Sequence, residues 1–268
     1  MTNHNQWNAD DYAKNSSAQL NWAKELIEKL SLMGNETLLD IGCGDGKITA
    51  EFASILNNGS VLGIDSSKTM VELARKTFPP VEYPNLEFQL MDATAINLNH
   101  SFDVVFSNAV LHWINDHDSV LKNVRNHLKP HGKLLFQMGG KGNARELLLI
   151  IDEIITDPDW KDYFIGFNFP YSFYGIEDYQ RWLPENGFKA ERLQLIPKDM
   201  QHQGKEGLKG WLRTTWFPYT NRLPQELKEI FLDTVVDRYI ERYPIDSQGL
   251  THVKMVRLEV EAYAIASR

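Results

Sequence analysis

A short glycine-rich segment carries the strongest indication of ligand binding in the sequence. It reads Gly42-Cys43-Gly44-Asp45-Gly46 and follows the apolar residues 37–41, after which apolar residues recur at helical spacing. This pattern predicts a buried strand, a tight loop and a helix. Glycine lets the backbone turn sharply and approach a ligand closely, and the first N–H groups of a helix lack partners within it. We therefore expect a nucleotide-binding type of loop whose amides face the ligand.

An acidic residue follows at the place where a ribose would need one. Asp65 stands 19 residues beyond Gly46 and ends the next predicted strand, residues 61–64. A carboxylate at that position can accept hydrogen bonds from both ribose hydroxyls. The structural alternatives are a plain tight turn for the glycines and a helix-capping role for Asp65. A nicotinamide-binding loop would need glycine at position 47, which holds Lys47, so a dehydrogenase is disfavoured.

The elements that must position these residues form an α/β pattern. β-rich segments and helical periodicity alternate from residue 37 to residue 137, which is typical of a parallel sheet flanked by helices. The predicted strands are 37–41, 61–64, 86–90, 102–106 and 134–137, with a helix near 115–128 before the last of them. Further on, 15 of the 30 aromatic residues lie within 152–222, and the alternation in 251–265 predicts a half-buried strand.

We expect one domain over residues 1–268 with several additions to its core. Helices in 1–34 would form a lid, 35–139 the ligand-binding core, and a strand near 251–265 would complete the sheet. The aromatic-rich segments at about 140–175 and 197–245 are interpreted as cap insertions. Their boundaries are the least defined part of the pattern.

Composition excludes several classes of protein. Apolar residues make up 43% of the 268 residues, enough for a core, and no apolar run approaches the ~18 residues of a membrane helix. The single cysteine, Cys43, permits neither an internal disulfide nor a cysteine zinc cluster, so no metal site is predicted. A net charge of −8 repels nucleic acid. These features favour a soluble cytoplasmic protein with a small-molecule partner and leave its oligomeric state open.

Five sequence blocks together carry a family resemblance. They are LDIGCGDG at 39–46, GIDSSKTM at 63–70, MDA at 91–93, FDVVFSN at 102–108 and LKPHG at 128–132. In this order they resemble the motifs of class I S-adenosylmethionine-dependent methyltransferases. The resemblance implies a Rossmann-like, seven-stranded sheet of order 3-2-1-4-5-7-6 with the last strand antiparallel. It also implies S-adenosyl-L-methionine as cofactor and S-adenosyl-L-homocysteine as product.

The same resemblance assigns residues to each part of the cofactor. The residues implied are Asp40, Gly42, Gly44 and Gly46 around the methionine part, Asp65 at the ribose hydroxyls, Ser66 or Met70 beside the adenine, Asp92 and Ala93 at the adenine edge, and Asn108 beneath the methionine part. His131 departs from the glycine usual at that turn, which lies far from the chemistry.

Two further segments, 12–19 and 111–114, resemble small-molecule carboxyl methyltransferases, namely the juvenile hormone acid and trans-aconitate methyltransferases. This resemblance implies that Gln19 and Trp113 contact the acceptor carboxylate, with His112 beside them as a hydrogen-bond donor or a base. The alternatives are a solvent-facing Gln19 on an amphipathic helix and a Trp113 that serves core packing.

The segment 197–222 gives an independent indication of the acceptor. It holds five basic and two acidic residues, a local charge of +3, beside the aromatic residues Trp211, Trp216, Phe217 and Tyr219. We expect an anionic acceptor with an apolar part. The alternative is that the aromatic residues belong to the core of the cap and that the lysines are solvated.

The predicted function is methyl transfer to a small molecule by in-line displacement, with a carboxylate oxygen as the acceptor atom and a methyl ester as product. The alternatives are O-, N- or C-methylation of another small metabolite, including an acyl-carrier-protein carboxyl or a quinone-like acceptor, and a protein that binds S-adenosylmethionine without catalysis.

Overall fold

The computed structural model describes the backbone of residues 17–266 and the side chains of residues 22–266. Its centre is a sheet of seven strands: β1 Thr37–Ile41, β2 Ser60–Asp65, β3 Leu86–Leu90, β4 Phe102–Asn108, β5 Leu128–Gly139, β6 Phe188–Gln203 and β7 Leu250–Ala264. The strand order is β3-β2-β1-β4-β5-β7-β6, which confirms the order implied by the family resemblance. Strands β1 to β5 pair in parallel, and β7 runs antiparallel to β5.

The described helices are α1 Ser17–Leu30, α2 Lys47–Ile55, α3 Lys68–Thr77, α4 His117–Asn126, α5 Arg145–Thr156, α6 Ile176–Glu185, α7 Gly204–Thr215, α8 Phe217–Thr220 and α9 Gln225–Arg242. Short 3₁₀ turns occupy Ala93–Ala95, Leu111–Trp113 and Lys161–Phe164. No helix within this described part of the chain is long and apolar enough to cross a membrane.

The fifth strand begins earlier than the sequence pattern predicts. Leu128 already pairs with Phe102, and the register then shifts so that Lys133 pairs with Val104. The residues expected to form a turn before the strand are therefore taken up inside β5, where His131 adopts a φ of 63°. Propensity alone marks Pro130 and Gly132 as turn residues, whereas pairing with β4 decides the outcome.

The sheet is buried on both faces, as expected for central parallel strands. Successive residues of β1 enter different cores, with Leu39 and Ile41 in one and Leu38 in the other. The first core is completed by apolar residues of α4 and α6, and the second by those of α1, α2 and α3. Two-sided burial holds the carboxyl ends of the strands in fixed positions.

The chain forms two compact units. The first comprises residues up to Lys141, Ser172–Ile196 and the chain from Arg257 on, and the second comprises Gly142–Tyr171 and Pro197–Val256. The first unit contains the glycine-rich loop. The second contains most of the segments expected to form a cap, and its role as a cap stays a prediction.

Three of the five basic residues expected to form a positive patch in 197–222 are paired with acids within the second unit, which weakens the interpretation of this segment. Lys209 contacts both Glu229 and Asp233 of α9, at 3.0 and 2.6 Å, and Lys205 contacts Asp237 of the same helix at 2.5 Å. Arg213 reaches Glu229 at 3.2 Å. Because the acids lie beyond residue 222, a local charge count misses them.

The aromatic residues beside that segment are mainly internal to the second unit. Trp211, Trp216 and Tyr219 are buried, and the Trp211 and Trp216 rings meet edge to face at 5.7 Å between centroids. Phe169 stacks against Trp216 at 6.1 Å. The packing alternative therefore holds for these three residues, and the cap segment gives no support to an anionic acceptor.

A buried carboxylate fastens helix α1 to the sheet of the first unit. Both oxygens of Glu259, on β7, accept hydrogen bonds from Lys29 Nζ of α1, at 2.9 and 2.8 Å. Arg192 of β6 contacts the same carboxylate at 2.8 Å, and Gln137 of β5 donates to it at 3.2 Å. The Glu259 side chain is 0% exposed. Removing one member of such a buried group leaves the others uncompensated.

We expect Glu259→Gln to lower the free energy of unfolding by about 3 kcal/mol or more, because Lys29 and Arg192 lose their shared counter-charge. The matched control is Glu177→Gln, which removes the exposed partner of Lys141 in the same unit and should change stability little. Urea denaturation followed by circular dichroism measures both. Equal losses in the two variants would contradict a special role for the buried carboxylate.

Candidate active site

A cavity of about 760 Å³ lies at the carboxyl ends of β1, β2 and β4 in the first unit. Its walls come from four segments: the end of β1 with the glycine loop, the end of β2 with the start of α3, the residues around the end of β3, and the loop that follows β4. The chain adds β2 and β3 on one side of β1 and then β4 and β5 on the other side. The cavity therefore occupies a topological switch point, where open α/β sheets bind ligands.

Most of the residues predicted for the site meet in this cavity. Those in its walls are Gly42, Gly44, Asp65, Ser66, Met70, Asp92, Ala93 and Trp113. Outside the walls lie Asp40, Gly46, Asn108 and His112. The side chain of Gln19 lies outside the described residues, so its role stays a prediction.

The three glycines of the loop fall into two groups: a Cβ would collide with a neighbouring side chain at Gly42 and Gly46 and would meet open space at Gly44. A Cβ on Gly42, where φ is +76°, would lie 2.3 Å from Cγ2 of Val110. A Cβ on Gly46, at φ +82°, would lie 2.7 Å from the ring of Phe88. A Cβ on Gly44, at φ +53°, would meet no protein atom within 4 Å. Gly44 is therefore the position at which the missing side chain leaves space beside the cavity.

Four of the five amides of the loop donate within the protein, against the expectation that they face a ligand. The N–H groups of Gly42 and Cys43 both donate to the carbonyl of Ile64, at 2.7 and 3.0 Å. The N–H of Gly46 donates to the Cys43 carbonyl, and that of Gly44 to Asp65 Oδ2 at 3.0 Å. Buried backbone donors take the partners within reach, here the end of β2. Close approach, rather than amide donation, is what these glycines supply.

Asp65 joins the loop to helix α3 and faces the cavity. Its Oδ2 accepts from Gly44 N, and its Oδ1 accepts from Ser67 N at 2.8 Å. Ser67, whose hydroxyl accepts from Met70 N, is the residue that caps α3, so the capping alternative does not account for Asp65. Burial raises the pKa of Asp65 above its ordinary value. Each oxygen retains a second lone pair for a hydroxyl of the ligand.

Asp40 lies below the loop and outside the cavity walls. It is buried, and Thr49 Oγ1 donates to its Oδ2 at 2.7 Å. Burial raises the pKa of Asp40 to about 7, and the nearby charge of Asp65 acts in the same direction. The Asp40 carboxyl therefore belongs to the buried structure beneath the loop and does not line the cavity.

The opposite end of the cavity is formed around Asp92. Its Oδ1 accepts from the backbone N and the hydroxyl of Thr94, at 2.8 and 2.7 Å, which closes the Ala93–Ala95 turn. Leu90, Met91 and Thr94 also line the cavity, and the sequence analysis did not assign them. These residues could have been identified from the sequence by their position next to Asp92, at the end of a predicted strand.

The loop after β4 forms a wall without an effective base. Ala109 has a φ of +58°, unusual for a residue with a side chain and typical of functional loops, and it lines the cavity together with Val110, Trp113 and Ile114. His112 is buried, and its Nδ1 accepts from Gly139 N at 3.4 Å. Burial, with the nearby charge of Arg257, lowers the pKa of His112 to about 3. A group with so low a pKa is a poor proton acceptor at neutral pH.

Comparison with known proteins gives the family. A family model for a methyltransferase domain matches residues 39–136. The protein described as "Uncharacterized methyltransferase C70.08c" of Schizosaccharomyces pombe is 33% identical over 233 residues, 85% of this chain and 87% of the relative. The chain belongs to the class I S-adenosylmethionine-dependent methyltransferases.

Two further comparisons agree with this family. A trans-aconitate 2-methyltransferase of Enterobacter sp. (strain 638) is 26% identical to this chain over 255 residues, which cover 94% of this chain and 96% of the relative. The crystal structure of the BH2331 protein of Bacillus halodurans shares the fold, with a TM-score of 0.63 at 17% identity, and the match covers 91% of this chain and 99% of that one.

The residues of the cavity fit an adenosyl cofactor. Asp65 presents a carboxylate with lone pairs available for ribose hydroxyls, and Gly44 leaves room beside it. Met70, Leu90 and Met91 supply apolar surface in the same cavity, as an adenine ring requires. The family and this fit agree on S-adenosylmethionine as the cofactor of the methyltransferase.

We expect Gly44→Ala to weaken S-adenosylhomocysteine binding at least tenfold, because its Cβ would enter the space beside the cavity. The left-handed φ adds about 1–2 kcal/mol of strain to either alanine variant of the loop. Gly42→Ala is the matched comparison and should lose considerably more thermal stability, since its Cβ collides with Val110. Calorimetric titration and thermal unfolding measure the two effects. Wild-type affinity in Gly44→Ala would show that the ligand does not approach this position.

We expect Asp40→Asn to match the wild type in stability near pH 4, to become more stable than the wild type as the pH rises to about 7, and to keep this gain near pH 8.5. The pKa of Asp40 is about 7 in the folded protein and about 4 in an unfolded chain, so stability falls as the pH rises between those values. Asparagine keeps an acceptor for Thr49. The melting temperature of the variant should exceed that of the wild type by at least about 3 °C at pH 8.5.

Asp103→Asn is the control for the sign of this effect. Burial raises the pKa of Asp103, but hydrogen bonds from Lys129 and Thr37 outweigh it, and the net pKa lies below the ordinary value. This variant should therefore lose stability at neutral pH relative to acid pH. A pH-independent difference between Asp40→Asn and the wild type would refute the buried-charge argument.

Proposed function

We propose that the methyltransferase transfers the methyl group of S-adenosylmethionine to a carboxylate oxygen of a small molecule, giving a methyl ester. The observation that carries this proposal is the wall formed by the loop after β4. Ala109, Val110, Trp113 and Ile114 have no titratable side chain, and the pKa of the neighbouring His112 is about 3. The side chains described there thus offer no base, which favours an acceptor that arrives already ionised. A carboxylic acid, with a pKa of about 4, meets this condition.

Acceptor atoms other than a carboxylate oxygen need a base, which the side chains described in this wall do not supply. Phenols and amines, with pKa values of about 10, are protonated at neutral pH and must lose a proton before or during transfer. The titratable wall residues among those described are Asp65, Lys68 and Asp92, and we assign Asp65 and Asp92 to the ribose and the adenine. The name of the trans-aconitate relative, a methyltransferase acting on a carboxylic acid, supports the same choice.

The chemistry at the site is mainly a matter of alignment. The cofactor supplies a methyl group already activated on a sulfonium. Asp65 would hold its ribose, and Gly44 would allow its close approach. Trp113 and Ile114 would exclude water and restrict the acceptor to the line of displacement. Gln19 remains the proposed polar contact of the acceptor carboxylate, and His112 would act as a hydrogen-bonding residue instead of a base.

The proposal is tested with radiolabelled S-adenosylmethionine and sets of acceptors that share one carbon skeleton. Each set contains the carboxylic acid, the matching primary alcohol and the matching primary amine, with small tricarboxylic acids and longer amphiphilic acids as skeletons. We expect transfer to acids only, with a product that releases label in mild base. The rate should not decline between pH 8 and pH 6, because no group of the enzyme has to take a proton from the acceptor.

The control for this assay is Asp65→Ala, which should lose cofactor binding and all transfer. Label in a base-stable product, or faster transfer to the alcohol or amine than to the acid, would overturn the proposal of ester formation.

A further inference from the structure

A buried histidine behind the cavity wall makes two hydrogen bonds that the proposed reaction does not use. His117 is the first residue of α4 and is 1% exposed. Its Nε2 lies 2.8 Å from the carbonyl oxygen of Leu111, and its Nδ1 lies 2.8 Å from the hydroxyl of Tyr179 on α6. The imidazole therefore links helices α4 and α6 to the Leu111–Trp113 turn.

The partners of the ring define its tautomer. A carbonyl oxygen can only accept, so Nε2 carries the hydrogen and donates to Leu111. Burial lowers the pKa of His117, which keeps the ring neutral. Nδ1 is then an acceptor, and the hydroxyl of Tyr179 donates to it. Tyr179 thus holds His117 in the form that can donate to Leu111.

The Leu111 carbonyl is a fixed point of the cavity wall. It also accepts from Ile114 N at 2.9 Å, and Trp113 N donates to the Val110 carbonyl at 2.9 Å. These bonds close the Leu111–Trp113 turn, and both Trp113 and Ile114 line the cavity. Without the hydrogen bond from His117, the Leu111 carbonyl would accept only the hydrogen bond from the Ile114 amide. The peptide planes that orient the Trp113 side chain would then be less restricted.

We infer that His117 is a positioning residue of the acceptor site, which holds Trp113 against the cavity by donating a hydrogen bond from Nε2 to the Leu111 carbonyl. The inference rests on the proposed function in one respect, the contact of Trp113 with the acceptor. It concerns no contact with the cofactor, since His117 lies outside the cavity walls.

Two substitutions separate this role from simple packing. The amide nitrogen of glutamine can occupy the position of Nε2, so His117→Gln retains a donor for Leu111. Asparagine reaches only as far as Nδ1, so His117→Asn retains a partner for Tyr179 and loses the bond to Leu111. Both replace a buried ring by a smaller amide, and both should lower thermal stability to a similar degree.

We expect His117→Asn to raise the KM for the acceptor about tenfold or more, and His117→Gln to raise it no more than about threefold. The dissociation constant for S-adenosylhomocysteine should change less than twofold in both. Tyr179→Phe, which removes the donor to Nδ1, should fall between them. Parallel loss of acceptor affinity and stability in the two His117 variants would mean that the residue serves packing alone, and the inference would fail.

A readout without acceptor separates this inference from the proposed function. The chain has seven tryptophans, and 5-fluorotryptophan labelling gives each a fluorine resonance, with that of Trp113 assigned by Trp113→Phe. We expect the Trp113 resonance to shift or broaden in His117→Asn and to keep its position in His117→Gln. An unchanged resonance in both variants overturns the inference even if the acid is methylated. The expected contrast supports it even if the acceptor is not a carboxylate.

Discussion

The site depends on the carboxylate of Asp65, which lies at the end of β2 and holds both the glycine loop and the start of α3. One oxygen accepts from Gly44 N and the other from Ser67 N. The carboxylate thereby fixes two walls of the cavity relative to each other before a ligand arrives. The side chain that we propose as the ribose ligand is thus pre-organised by the fold, so little ordering remains to be done on binding.

The core sheet and the cofactor half of the site could be predicted from sequence because their signals are local. The strand, loop and helix around Gly42 and the acid at Asp65 are each contained in a few consecutive residues. The reasons for the individual glycines could not be predicted in this way. They depend on Val110 and Phe88, which come from other parts of the chain and are brought there by strand pairing. The use of the loop amides by Ile64 is non-local for the same reason.

The interpretation of the segment 197–222 is weakened because it relied on a local charge count. Lys205, Lys209 and Arg213 lie on α7, and their partners Glu229, Asp233 and Asp237 lie on α9, which begins beyond that segment. Opposite charges on neighbouring helices cancel at short range, so the sum over one segment says little about the field that a ligand meets. The role of His117 could not be predicted from the sequence for a comparable reason, because its partner Tyr179 is 62 residues away.

The absence of a base among the side chains described near Trp113 has an electrostatic consequence for the choice of acceptor. An apolar wall lowers the local dielectric, which strengthens the attraction between an anionic acceptor and the positive sulfonium of the cofactor. The same wall strengthens the repulsion of a protonated amine, and it offers an alcohol neither attraction nor a route for its proton. A carboxylate loses hydration on entering, and its attraction to the sulfonium offsets part of that cost. Under the proposed function, a wall of Val110, Trp113 and Ile114 would favour a negatively charged acceptor without a charged residue of its own.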